Sequence, residues 1–207
     1  MTGKGSLNHN SRKFHAKNTD PNRTHWNVEY CNEDIKDVYH ELFDDALKRY
    51  NDKQTRKDRK IDDYYEKIRS GKQEKLFHEV ILQIGDKDNM GSETLEGQLA
   101  AKILDEYMKG FQERNPTLRV FAAHLHLDEA TPHLHIDFIP YVTGSKRGLD
   151  TRVSLKQALS SLGFKGGSRS ETELNQWVQS EKEKLAMVMR ENEIEWDQKG
   201  THEPHLS

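Results

Sequence analysis

The chain has 207 residues, 33% of them hydrophobic and 32% charged, with a formal net charge of −3; that is enough for one domain with a real core. It contains no run of about 18 apolar residues and opens on no signal-peptide pattern, so a spanning helix is excluded and a cytoplasmic location is expected. Cys31 is the sole cysteine, which excludes an internal disulfide and a cysteine-built zinc cage.

Basic residues dominate segments 1–25, 48–75 and 145–170, and acidic residues dominate the stretches between and after them. If the three basic segments converge, they line a groove for phosphates; otherwise they are solvated faces.

In chain order, “NEDIKDVYHELFDDALKRY” places Ile35, Val38, Tyr39, Leu42, Phe43, Ala46 and Tyr50 at helical spacing behind Asn32 as N-cap. “RKIDDYYEKIRSG” repeats the period with Ile61, Tyr64, Tyr65 and Ile68 and stops at Gly71. The β-rich run Leu76 to Ile84 predicts a strand. A long helix follows, with Leu95, Leu99, Ile103, Leu104, Tyr107, Met108 and Phe111 on one face, ending before Pro116. Residues 118–142 predict two strands joined by a tight connection, Glu129 to Pro132. Ser154 with Gln157, and Ser170 with Glu173, are capping-box patterns that start two further helices. The predicted fold class is α+β, an antiparallel β-sheet with amphipathic helices packed on one face. One domain is expected over 1–207, with 171–207 as a C-terminal helical extension.

The stretch “HLHLDEATPHLHIDFIP”, His124 to Pro140, carries many ligand-type side chains on what otherwise reads as buried strand. Alternate side chains share a face, so His124, His126 and Asp128 point one way and His133, His135 and Asp137 share a face of the second strand. Pairing the strands brings His126 beside His133 and His135. Three neutral imidazoles with coordination positions left open make a catalytic type of metal site. Packing alone is a poor reason to cluster them, since they repel if protonated, whereas a divalent cation makes the cluster favourable. His124, one step further from the turn, is expected to support the site or touch DNA rather than ligate.

“HLDEATPHLH”, residues 126–135, resembles the metal motif of the Mob/Pre plasmid mobilisation and recombination proteins, the MOBV relaxases of the HUH endonuclease superfamily. “HNSR”, His9 to Arg12, and “NTDPNRTHWN”, Asn18 to Asn27, resemble that family's two other motifs in the same order. The resemblance implies an HUH relaxase-like sheet in a bacterial enzyme acting on single-stranded and hairpin DNA at the transfer origin of a plasmid or integrative element. Such an enzyme nicks one strand with a divalent metal, Mn²⁺ or Mg²⁺, and stays joined to the 5′ phosphate. It further implies that His126, His133 and His135 hold the metal and that Glu129 is a fourth contact or a proton acceptor. His9 is then the nucleophile, and Arg12 and Arg23 clamp phosphates. Asn10, His25 and Asn27, in the same motifs, complete the expected DNA-binding set.

Family members carry an apolar strand ahead of this first motif. “MTGKGSLN” is polar and short, so the sheet is expected to lack that strand or recruit it from elsewhere. Relatives continue into helical tails, so the chain is expected to be the catalytic portion of a longer protein, homodimeric through such a tail, with no direct membrane contact of its own. Two rival classes share the three-histidine pattern: a metal-dependent hydrolase of small substrates, and a DNA-binding regulator that cuts nothing.

Overall fold

The computed structural model describes residues 2–3, 6–14 and 16–196, with only the backbone described at 2–3. In chain order the elements are β1 (Thr2–Gly3), α1 (Leu7–Asn10), β2 (Val28–Asn32), α2 (Ile35–Asp52), α3 (Tyr64–Ser70), β3 (His78–Gln83) and α4 (Leu95–Lys109). There follow α5 (Phe111–Arg114), β4 (Leu118–His126), β5 (His133–Val142), β6 (Arg152–Val153), α6 (Leu155–Ser161) and α7 (Glu173–Glu191). The sheet runs β1-β3-β5-β4-β2, antiparallel at every pairing, and β6 adds to β5. The α+β class is as expected.

Several local expectations are corrected. Asn32 does not cap α2: it belongs to β2, opposite Ala122, and the Asp34 carboxylate accepts from the Lys36 amide instead. Ser170 does not cap the last helix either, because the Thr172 hydroxyl takes the Asn175 amide. Ser154 caps α6 as predicted. The strand expected to be missing before the first motif is present as β1, where Thr2 pairs Val80 and Gly3 pairs Glu79.

The helices also cover both faces of the sheet, not one. On one face Val80, Leu82, Ala123, Leu125, Leu134, Ile136 and Phe138 pack with Ile103, Leu104 and Tyr107 of α4 and Trp177 of α7. On the other, Phe121, Ala122 and Ile139 pack under Tyr39 and Phe43 of α2 and Tyr64 of α3. The apolar part of this second face ends there. Further along the same face the inward positions are Glu79, Asp137, His135, His133, His124 and His126, all buried. A β-bulge between Val120 and Ala122 makes this possible. Val120 faces α4, and the extra residue reverses the alternation so that Ala122, His124 and His126 turn to the opposite face. His124 then lies opposite His135, and His126 opposite His133.

Within the segment expected as an extension, α7 enters the core through the fully buried Trp177. The buried Glu181 carboxylate gathers Tyr107 Oη, Arg114 and Asn115, and Trp177 Nε1 donates to Asn115 Oδ1 at 2.8 Å. Replacing Glu181 with Ala leaves the buried Tyr107 hydroxyl without its acceptor and removes the bonds from Arg114 and Asn115, and should cost about 3 kcal/mol, read as a lower urea midpoint at unchanged slope. A shift that is not resolved would show that the network is not what docks α7.

Candidate metal centre

Each of the three histidines has one ring nitrogen tied to an acceptor, and that tie sets the tautomer. Thr131 carbonyl oxygen lies 2.8 Å from His133 Nδ1, and the Asn10 carbonyl 2.8 Å from His126 Nε2. A carbonyl only accepts, so both of these nitrogens carry the proton. The His135 Nδ1 proton goes to Glu79 Oε1 at 2.7 Å. Burial works against a charge on Glu79, but the bonds from His135 and Asn10 hold its carboxyl below the usual range.

The remaining nitrogens, His126 Nδ1, His133 Nε2 and His135 Nε2, are therefore lone pairs. Ligand atoms of the three residues lie within 4.8 Å of one another, and the three residues form a group that could hold a metal ion. His126 Nδ1 and His133 Nε2 stand 3.4 Å apart with no proton between them. His135 Nε2 is buried with no hydrogen-bond partner. Burial first, then the neighbouring His135 and Arg12, push His126 down to about 2, so it stays an unprotonated donor. Converging buried lone pairs without protons are costly alone and suit a divalent cation. The donor set fits the metal.

His9 sits beside this cluster. Its ring is 6.0 Å from the His126 ring, centroid to centroid, and its Nε2 is 3.4 Å from Glu129 Oε1. Burial and the Arg12 charge lower its pKa from 6.5. Glu129 Oε1 also accepts from Arg12 at 2.8 Å and lies 3.6 Å from His133 Nε2, while Oε2 accepts from Asn18 at 2.6 Å. Burial alone would raise the Glu129 carboxyl, but the hydrogen bond and charge of Arg12 hold it low. A carboxylate bonded to Arg12 and Asn18 is a weak base, which places Glu129 as a fixed negative charge against the His9 ring.

The expected phosphate clamps are engaged inside the protein. Arg12, at a positive φ of 52°, forms a fork on Asp128 with distances of 2.9 and 2.5 Å. Arg23 donates to the carbonyls of Leu127 and Glu129 and to the Asp20 carboxylate. Asn27 Oδ1 accepts from the amides of Leu127 and Asp128. The second motif thus fastens the turn that carries Glu129, and Ser92 adds a bond to the Glu129 carbonyl from the other side. Asn10 is buried, with its amide on Glu79 and Asp137. Of the expected DNA-binding set, His25 alone is exposed, next to an exposed Trp26 that Arg23 overlies. His124 stays outside the cluster, paired with Glu29 at 3.2 Å.

Sequence reasoning did not assign Glu79 or a structural part for Asn10 and Asp128. A lone acid inside the apolar run “LFHEVILQ” was the available signal for Glu79.

Fold and centre together define an α+β protein whose sheet presents three buried histidines that could hold a metal ion. The chain matches the family model described as “Plasmid recombination enzyme”, Mob_Pre, over residues 5–187, and it belongs to that family. Among solved structures it is similar to the Mn-bound MobM relaxase domain (MOBV; Mob_Pre) with 22 nt of plasmid pMV158 oriT DNA. The two are 23% identical with a TM-score of 0.53, over 97% of this chain and 86% of that one. A second MobM structure, with 22 nt of DNA and a 3′-thiophosphate, gives 23% identity and a TM-score of 0.50 over 97% and 86% of the two chains. At this identity the likeness is one of fold. No curated protein matches the chain, and no described helix is long and apolar enough to cross a membrane.

Proposed function

We propose that this protein is a metal-dependent relaxase that nicks one strand at a transfer origin by transesterification and remains attached to the 5′ phosphate. The observation that carries the reading is the meeting of three motifs, far apart in sequence, that set His9 against three unprotonated histidine nitrogens. His126, His133 and His135 would hold Mn²⁺ or Mg²⁺, which when bound polarises the scissile phosphate and neutralises developing charge. A neutral His9 nitrogen attacks phosphorus, the N–P bond forms as the P–O3′ bond breaks, and the 3′ oxygen leaves and takes a proton. The phosphorylated ring becomes cationic, and the Glu129 carboxylate, 3.4 Å from Nε2, stabilises it.

Support for a single-stranded DNA partner comes from exposed Phe14 and Trp26 near the first two motifs, both suited to stacking on bases. The MobM domain's partner, oriT DNA, fits the same reading. Incubating a supercoiled plasmid carrying the element's origin with MnCl₂ tests it: open circles with protein bound at one 5′ end are expected, and intact plasmid with Mn²⁺ demonstrably bound would overturn it.

Basic segments 48–75 and 145–170 meet where Arg49 pairs Asp150 and Val153 donates to Tyr64 Oη. If they join residues 1–25 in one DNA groove, affinity for single-stranded origin DNA falls with salt at a slope of about −0.7 per phosphate contacted. A flat response in fluorescence anisotropy would show these segments to be solvated only.

A further inference from the structure

The residue that follows His9 in the chain faces the framework of the histidine cluster. Asn10 is 2% exposed. Its Nδ2 donates to Glu79 Oε1 at 2.8 Å and to Asp137 Oδ2 at 3.0 Å, and its carbonyl accepts from His126 Nε2 at 2.8 Å. Glu79 Oε1 also takes the His135 Nδ1 proton. One residue therefore holds His126 directly and His135 through a single carboxylate oxygen.

Glu79 and Asp137 are directly opposed across β3 and β5, a buried pair of acids with Asn10 between them. A side-chain amide brings two N–H donors on one neutral nitrogen, which lets one atom bridge both carboxyls. Aspartate at this place would add a third acid, and an apolar side chain would leave Asp137 facing Glu79 without the Asn10 donor.

We propose that Asn10 is a positioning residue that couples the two halves of the site. It fixes the donor faces of His126 and His135, and by the same bonds it seats the short helix α1 that carries His9. The inference rests on the metal reading above and goes beyond it, because it makes seating of the attacking group and cation binding one equilibrium. Coupling of this kind is reciprocal: whatever seats α1 tightens the cation, and the cation tightens α1.

The test combines Mn²⁺ calorimetry with hydrogen exchange of the amides of residues 7–13, with and without MnCl₂. In the unaltered protein, Mn²⁺ should slow exchange in α1 far more than in α7. Asn10→Ala should weaken Mn²⁺ by about 10–100-fold and erase its effect on α1 exchange, as loss of a ligand-orienting partner does. Asn10→Asp should do the same or worse. His9→Ala, which removes none of these bonds, should keep its Mn²⁺ affinity. Should Asn10→Ala fail to fold, Glu79→Gln cuts the same path at its other end and is expected to lose affinity and α1 protection together. A packing role alone would lower the melting temperature yet leave Mn²⁺ affinity and its effect on α1 unchanged, and that result overturns the proposal. Absence of Mn²⁺ binding in the unaltered protein overturns the metal reading as well, whereas tight binding indifferent to Asn10 overturns this inference alone.

Discussion

Replacing His135 with Ala is expected to abolish Mn²⁺-dependent nicking together with the Mn²⁺-dependent rise in melting temperature. The ring supplies Nε2, a buried lone pair with no protein partner, so its loss removes a donor that nothing nearby can replace. A cation present at a hundred times its dissociation constant stabilises the native state by about 2.7 kcal/mol. For a chain of this size that corresponds to a rise of roughly 5–10 °C, which should vanish in the variant. The substitution also leaves Glu79 without its His135 partner, so each variant is compared with and without metal rather than with the unaltered protein. His126→Ala and His133→Ala should behave alike. Any one of them that retains both the nick and the thermal shift would end the three-histidine reading.

His9→Ala should abolish the covalent DNA adduct, leaving Mn²⁺ binding and origin binding close to normal. Attack requires the unprotonated ring. Burial and the Arg12 charge lower the His9 pKa from its ordinary value, so the neutral form persists to lower pH than for a free histidine. Adduct formation should therefore be level above pH 6.5 and fall only below it, as protonation removes the lone pair. The N–P bond should break in acid and survive mild alkali. An adduct that resists acid, or one that persists in His9→Ala, would point to a tyrosine. Tyr64 and Tyr141 are poorly placed for it. Tyr64 is buried under α2 with its oxygen on the Val153 amide, and the Tyr141 hydroxyl donates to the Pro116 carbonyl at the end of β5 away from His133. Mapping the DNA-linked peptide by mass spectrometry decides between them.

Much of the fold was legible because its elements are strongly periodic: the alternation predicts β4 and β5 to within two residues, and the apolar stripe predicts α4, although the single helix expected as far as Pro116 breaks at Gly110 and leaves Phe111 to α5. The triad was legible for the same reason, since two strands and a tight connection leave few ways to pair them. Asn10 was not. Its side-chain partners lie 69 and 127 residues away, and a polar residue in a motif near the chain start reads equally well as exposed. Arg12 and Arg23 looked like phosphate clamps because guanidinium suits both phosphate and carboxylate, and sequence does not say which acid meets them. Burial of both sheet faces was hidden by the second face being apolar over only part of its length, where Phe121, Ala122 and Ile139 lie.

The bulge at Phe121 gives β4 two reading frames. Before it, even-numbered side chains serve the packing with α4; after it, they serve the histidine cluster. Drawing Phe121 into the ladder with no residue removed would restore a single frame and exchange Ala123 and Leu125 for His124 and His126 at the α4 face, whereas deleting Phe121 closes the ladder with both sets on their present faces. The chemistry of the strand is thus written in its residues but punctuated by one inserted position. Deleting Phe121 should therefore keep the three histidines together and cost the packing of its buried ring under α2.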